Sequence, residues 1–383
     1  MLKKRLVSII LIIVLSFTSI GVYGDIDISA KASLLMDFSS GDIIYAMNEH
    51  EKLAPASITK IMTLLLCMEA LETEKIKLDD KVFISDHASK MVGTKVYLDA
   101  GETQTVENLI KAISVRSAND GAVALAEHIA GSEEAFVKLM NKRSKELGMK
   151  NTNFSNASGL PAENHYTTAY DIAIMSRELL KHEKIKGYLS VYMEDLTVGK
   201  SKKSVQTMVN TNRLIKEYDG ANGIKTGFTN EAKHCISASA KRGSLQLIAV
   251  VMGVENSKLR FTEAKRLLDY GFANYESITL GKKGDIVGSI PIEKGKKENL
   301  EIILDRDSCI LLPKGKKSEI DKKLNYPEFL IAPIVQGSIV GELIIRVDGK
   351  EVDKIDLIAK TTIEKSNLGN ILKKTWKSFL LNK

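Results

Sequence analysis

Residues 55–63 read P-A-S-I-T-K-I-M-T, and Leu64, Leu65, Leu66, Cys67 and Met68 follow at once. The spacing predicts a helix from Pro55 to about Leu71, apolar on nearly every side, which marks a central buried helix. A solvated serine and lysine at its start would be ordinary, and a capped, half-exposed helix end is the plain reading of an isolated pair. A buried lysine would be different. Residues i and i+3 share a helix face, so Lys60 can reach the Ser57 hydroxyl. A serine hydroxyl is a poor nucleophile until a base takes its proton. Lysine is a base only when its pKa falls well below about 10.4. Burial does that by penalising the ammonium form, and neighbouring positive charge adds to it. The helix N-terminus also supplies N–H groups and a positive dipole end for a developing oxyanion. Ser57 and Lys60 are therefore a candidate nucleophile and base. Their S-x-x-K spacing occurs once in the chain.

The 383 residues are 44% hydrophobic and 27% charged, an ordinary globular composition with room for two domains. Lys3, Lys4 and Arg5 precede an apolar run from Leu6 to Ile20, the pattern of an export signal, with cleavage expected after Val22-Tyr23-Gly24. An uncleaved N-terminal anchor is the rival reading. The net charge of +7 does not mark a nucleic-acid surface. Residues 1–24 hold three of those positive charges and residues 367–383 four, neither with an acidic residue, which leaves residues 25–366 without net charge. Cys67, Cys235 and Cys309 lie far apart; Cys67 in the apolar helix and Cys235 in a strand-like run are expected as buried thiols. An odd count leaves room for one disulfide at most, and stability must come mainly from core packing. The six histidines lack ligand spacing, so no metal and no cofactor are expected.

Ala32–Asp37 and Ile43–Met47 flank Ser39-Ser40-Gly41-Asp42, a strand–turn–strand pattern. Helices are expected after Thr105 as N-cap, from Asn119-Asp120, from Glu133 to Leu147, and from Asp171 to Leu180. From about residue 204 the period changes. Strands are expected at Gly223–Phe228, Cys235–Ala240 and Leu245–Met252, then a helix from Leu259 to Tyr270. The order implies an α+β fold, an antiparallel sheet covered by helices. Short β-branched runs at 278–364 read as a small all-β domain. In 367–383, Leu368, Ile371, Leu372, Thr375, Trp376, Phe379 and Leu380 follow helical spacing while the lysines avoid that stripe. This is an amphipathic helix suited to an anionic membrane surface, the alternative being a helix packed on the β domain.

Two further motifs carry chemistry. In Ser117-Ala118-Asn119, a hydroxyl and an amide two residues apart in a turn can point the same way, for proton relay and for holding a peptide group. The plain alternative is an N-cap. In Lys225-Thr226-Gly227, a strand would put Lys225 and Gly227 on one face and Thr226 on the other. Gly227 permits close approach to the backbone, and the lysine and threonine suit a carboxylate. An exposed strand end is the alternative here.

The set S-x-x-K, S-x-N, K-T-G, in this order on helix, turn and strand, resembles that of penicillin-binding proteins and serine β-lactamases. Longer runs sharpen the likeness: S-G-D-I-I-Y-A-M-N-E, L-A-P-A-S-I-T-K-I-M-T, R-S-A-N-D-G-A-V-A-L-A-E, N-A-S-G-L-P, H-Y-T-T-A-Y-D-I-A and G-I-K-T-G-F-T. They resemble the low-molecular-mass D-alanyl-D-alanine carboxypeptidases over about residues 28–275. That family's layout also includes a trailing β domain and an amphipathic tail. The resemblance implies a signal peptide at 1–24, a serine DD-peptidase domain at 25–275, a β-rich domain at 278–364 and a membrane-associating helix at 367–383. It implies an exported enzyme on the extracytoplasmic face of a bacterial cell membrane. Its partners would be peptidoglycan stem peptides, with β-lactams as covalent inhibitors.

Carried over residue by residue, the likeness gives Ser57 as nucleophile and Lys60 as general base. The backbone N–H groups of Ser57 and Phe228 would form the oxyanion hole. Ser117 would pass a proton to the leaving D-alanine, and Asn119 would hold the substrate amide. Lys225, Thr226 and Gly227 would bind the terminal carboxylate and peptide. Asp171 and Arg260 stand where the family commonly has an acidic and a basic residue supporting the site, an ordinary surface pair being the alternative. Lys233-His234 departs from the glycine and aromatic common there, which bears on the strand turn and on fine substrate preference. Rival readings are a D,D-endopeptidase on cross-links, a serine β-lactamase and a non-catalytic wall-binding protein. No E-x-x-L-N run lies between Asn151 and Leu180, against the lactamase, and the retained Ser57, Lys60 and Lys225 argue against a non-catalytic role.

Overall fold

The computed structural model describes residues 26–201 and 203–366. The expected export signal at 1–24 and amphipathic helix at 367–383 lie outside the described residues.

An antiparallel five-stranded sheet organises the first domain: β1 (Ala32–Asp37), β2 (Ile43–Met47), β3 (Ala221–Thr229), β4 (Lys233–Arg242) and β5 (Leu245–Val254), in the order β2-β1-β5-β4-β3. Central β5 is buried at every residue. Its run L-Q-L-I-A-V-V-M-G-V is apolar on both faces because helices cover both. Ile248, Val250 and Met252 join one core, while Leu247, Ala249 and Val251 join the other. The first core holds α1 (Lys60–Glu72), α2 (Val106–Lys111), α3 (Asn119–Ala130), α4 (Glu133–Glu146) and α5 (Ala169–Lys181). The second is closed by α6 (Ser257–Asn274) through Phe261, Ala264, Leu267 and Leu268. The helix starts follow local chemistry. Thr105, Ser132, Thr168 and Asn256 each accept a first-turn backbone N–H.

Three features depart from the sequence pattern. Pro55 opens a 3₁₀ turn over Ala56–Thr59 rather than an α-helix, and α1 begins at Lys60. A helix at Glu183–Leu189 and a hairpin of Met193–Val198 with Ser204–Val209 had no sequence counterpart. Cys67 and Cys235 are buried and all three cysteines are free, as expected.

The second domain follows α6 directly. Strand β6 (Tyr275–Gly281) pairs with β9 (Ser308–Pro313). Its main sheet comprises β7 (Ile286–Glu293), β8 (Asn299–Leu304), β10 (Ile320–Asn325), β11 (Leu330–Ile331), β12 (Ile339–Val347) and β13 (Lys350–Ala359). The order is β10-β12-β13-β8-β7-β11, over a core that includes Ile290, Ile302, Ile345, Ile355 and Leu357.

Candidate active site

Ser57 and Lys60 stand at the start of the central helix, against edge strand β3. Ala56 has φ +47°, left-handed backbone for a residue with a Cβ, so the turn carrying Ser57 is strained. Two glycines let other segments press on this turn. A Cβ on Gly227 would lie 3.0 Å from Ala56 Cβ and 3.1 Å from Ser57 N. A Cβ on Gly159, itself at φ +84°, would collide with Ala56 O at 1.9 Å. The close approach at Gly227 is therefore made by the chain's own serine turn, and it sets Ser57 N–H beside the edge of β3 next to Phe228.

Lys60 is wholly buried, with its Nζ 3.0 Å from Ser57 Oγ and 2.7 Å from Asn119 Oδ1. Nζ also bonds the Ser158 carbonyl oxygen. Burial pushes its pKa well below the ordinary lysine range, the positive charge of Lys225 pushes it further, and Asp120 opposes them. A neutral amine has two N–H donors and one lone pair. Asn119 Oδ1 and the Ser158 carbonyl can only accept, so they take the two donors. The lone pair then faces the Ser57 hydroxyl, the orientation a general base needs.

Lys225 is also buried and falls to about 7, through burial and then the charge of Arg260. Gly227 faces the serine turn, and Thr226 Oγ1 donates to Thr211 Oγ1 at 2.9 Å. Among the described residues, Lys225 Nζ has only the Thr226 carbonyl, at 3.2 Å, as an acceptor. β3 is the sheet edge, so alternate backbone groups face outward, where an extended peptide can pair. Phe228 is 52% exposed and stacks on His234 at 4.4 Å. Lys233 sits at φ +55°, which explains why glycine suits that position.

Ser117 closes the helical run after α2 at φ +68°, and its buried Oγ has no hydrogen-bond partner among the described residues. Ala118 is the N-cap of α3 and no side chain caps it, so the capping alternative for Ser117-Ala118-Asn119 does not apply. An orphaned buried hydroxyl beside strained backbone is a marker of function. Asn119 uses both ends of its amide, since Nδ2 donates to Val92 O at 2.6 Å while Oδ1 receives Lys60. One N–H and one lone pair remain for a ligand.

The surface-pair alternative for Asp171 and Arg260 is corrected: both are buried, and they serve different segments. Arg260 Nη1 donates to Gly227 O at 3.1 Å, fixing β3 where it meets Ser57. Asp171 accepts from Asn151 N and Thr152 Oγ1, anchoring the start of the segment that carries Ser158 and Gly159.

Several supporting residues escaped sequence reading. Ser158 and Gly159, in the run N-A-S-G-L-P, act through a backbone carbonyl and a missing side chain, which no side-chain pattern marks. Asp120 accepts from Val96 N, Leu98 N and Gly121 N and holds the segment that Val92 shares with Asn119. His165 Nδ1 accepts from Ser155 N, leaving Nε2–H to donate to Thr59 Oγ1 at 2.9 Å. A cavity of about 970 Å³ lies between the two domains and includes none of these residues.

A serine beside a buried lysine, an orphaned hydroxyl and a cationic sheet edge on an α+β scaffold are the parts that an active-serine acyl-transfer site would need. Residues 20–256 match the family described as D-alanyl-D-alanine carboxypeptidase, and residues 275–365 match the C-terminal domain of penicillin-binding protein 5. The chain is 43% identical over 354 residues to D-alanyl-D-alanine carboxypeptidase DacF of Bacillus subtilis, covering 91% of this chain and 90% of that one. It is 32% identical to DacC of Escherichia coli, covering 91% and 87%. The solved penicillin-binding protein 5 from Haemophilus influenzae superposes with a TM-score of 0.73 at 33% identity, over 89% of this chain and 99% of that one. The chain belongs to the D-alanyl-D-alanine carboxypeptidase family, serine peptidases among the low-molecular-mass penicillin-binding proteins.

Proposed function

We propose that this chain removes the terminal D-alanine from peptidoglycan stem pentapeptides through an acyl-enzyme on Ser57. The observation that carries this reading is Lys60, buried and neutral-prone, with both donors engaged and its lone pair left for Ser57. Lys60 takes the hydroxyl proton as Ser57 Oγ attacks the carbonyl between two D-alanines. The Ser57 and Phe228 N–H groups receive the oxyanion, a contribution of about 3–4 kcal/mol where one such donor has been removed elsewhere. Ser117 passes a proton to the departing amine. Lys225, still cationic with a carboxylate beside it, holds the terminal carboxylate with Thr226, and the edge of β3 pairs with the peptide. Asn119 keeps Lys60 in place and offers its remaining N–H to the substrate amide. Arg260 and Asp171 are positioning residues acting through Gly227 and through the 151–159 segment. Water then hydrolyses the acyl-enzyme. A β-lactam acylates the same Ser57 and leaves slowly.

The same reading assigns residues 1–24 to an export signal, 25–275 to the catalytic domain and 278–364 to the β domain. Residues 367–383 are a membrane-associating helix on the extracytoplasmic face, supported by their apolar stripe and four lysines. The test is D-alanine release from a Lys-D-Ala-D-Ala peptide by residues 25–383, against the same chain carrying Ser57→Ala. Release that disappears in the variant is expected. No release by the folded wild-type protein would overturn the assignment and turn attention to cross-linked substrates.

A further inference from the structure

The segment Phe329–Val335 reads F-L-I-A-P-I-V and contains β11, the edge of the second domain's sheet. Its inward side chains, Leu330, Ala332 and Ile334, pack with Ile292, Leu300 and Ile363. An edge strand with one face in water normally alternates apolar with polar residues. Here the outward residues are Phe329, Ile331, Pro333 and Val335. Phe329, Ile331 and Val335 are 48%, 52% and 64% exposed. A bare apolar edge strand invites association unless something covers it.

The course of the chain indicates what does. Ile363 bridges to Ile334, and Ser366 N donates to the carbonyl of Lys294 at 2.7 Å. The neighbouring Glu293 is in register with Ile331. The last described residue is thus about two strand spacings, ~10 Å, from the outward side of β11. The next 17 residues are the lysine-rich amphipathic segment.

We propose that the outward face of Phe329–Val335 is a second membrane contact, which inserts Phe329, Ile331 and Val335 into the headgroup boundary of an anionic bilayer. The proposal rests on the membrane reading of residues 367–383. A tail in that interface holds its exit point, and β11 with it, at headgroup depth. Lys294, Lys296, Lys297 and Lys365 near the exit are offset by Glu293, Glu298 and Glu364 there and by Glu328 beside Phe329, and Lys296 pairs with Glu364. The folded contact is therefore apolar and insensitive to salt, whereas the tail's four uncompensated lysines make its own binding salt-sensitive.

The experiment measures partitioning of residues 25–383 onto mixed phosphatidylglycerol–phosphatidylcholine vesicles, at low and high salt, for wild type and F329S/I331S/V335S. The single tryptophan, Trp376, lies in the tail and reports its insertion by a blue shift. D-alanine release from a soluble peptide checks that the variant is folded. The expected result is at least about tenfold weaker binding of the variant, by a ratio that salt does not change, with the Trp376 shift retained. Phe329→Ser alone should weaken binding about threefold, and it serves if the triple variant fails to fold. Equal binding with a retained Trp376 shift would overturn this proposal while leaving the tail reading intact. No vesicle binding and no shift would overturn both. Trp376 already blue-shifted without vesicles, and red-shifted by the substitutions, would mean that the tail covers this face instead. A wild-type dimer that the substitutions make monomeric would assign the face to a second copy.

Discussion

Gly227→Ala tests how closely β3 must approach the serine turn. The added methyl would lie 3.0 Å from Ala56 Cβ, 3.1 Å from Ser57 N and 3.2 Å from Pro55 O. Unstrained carbon contacts are about 3.5–4.0 Å, so the strand and turn must part by roughly half an ångström. Gly227 itself is not in the left-handed region, so the backbone tolerates alanine and only packing is at issue. Overpacking of this kind costs about 1–3 kcal/mol, and each kcal/mol lowers Tm by about 2–4 °C. Activity should suffer far more. The displaced atoms are the Ser57 N–H and the strand that carries the Phe228 N–H, and loss of one oxyanion donor costs about 10²–10³ in rate. The assay is kcat/KM for D-alanine release, alongside the second-order rate of penicillin acylation and a melting curve. Both rates should fall about a hundredfold while the protein stays folded. Gly187→Ala is the control, because its Cβ meets nothing within 4 Å. It should leave rate and stability nearly unchanged. A folded Gly227→Ala protein within threefold of wild type would refute the spacing argument.

Lys60→Arg keeps a cation that cannot deprotonate, and it should lower kcat/KM by about 10²–10⁴, read by D-alanine release. Lys60→Met should be equally inactive and should lower Tm, because it leaves the buried Asn119 Oδ1 and the Ser158 carbonyl without their donor. Lys225→Ala removes a charge that depresses Lys60, so the acid limb of the kcat/KM pH profile should move to higher pH as KM rises. His165 titrates at about 4 because burial disfavours its charged form. Its folded value lies below its unfolded value of about 6.5, so its contribution is complete above that pH and declines as pH falls towards 4. Urea midpoints should reveal roughly 2–3 kcal/mol less stability from this residue at pH 4.5 than at pH 7, and His165→Gln should flatten that dependence.

The parts of the site legible in the sequence are those set by local geometry. Ser57 and Lys60 meet because three residues span one helical turn, and the pair survives the change from α to 3₁₀ at Ala56–Thr59. The partners of Lys60 were not legible. Ser158 lies 98 residues away, and its contribution is a backbone carbonyl, which no side-chain pattern announces. Ser117 resembled a cap because serine and asparagine before an apolar run usually are caps. Its left-handed backbone removes it from that role. For Asp171 and Arg260 the choice between a supporting role and a surface pair stayed open in the sequence, because burial is a tertiary property that one residue's type does not carry. The hairpin of Met193–Val198 and Ser204–Val209 escaped because polar residues interrupt both of its strands. In the second domain the apolar runs were readable as strands, but which of their faces lacks a cover, as at Phe329–Val335, follows only from the sheet order.

The most direct test of the central claim is the position and dependence of the β-lactam adduct. Residues 25–383 should be incubated with benzylpenicillin, and the adduct located by intact mass and peptide mapping. The expected result is one adduct per chain, on the peptide containing Ser57, absent in Ser57→Ala and formed at least a hundredfold more slowly in Lys60→Arg. An adduct on another serine, or acylation of Ser57 at an unchanged rate in folded Lys60→Arg, would contradict the account.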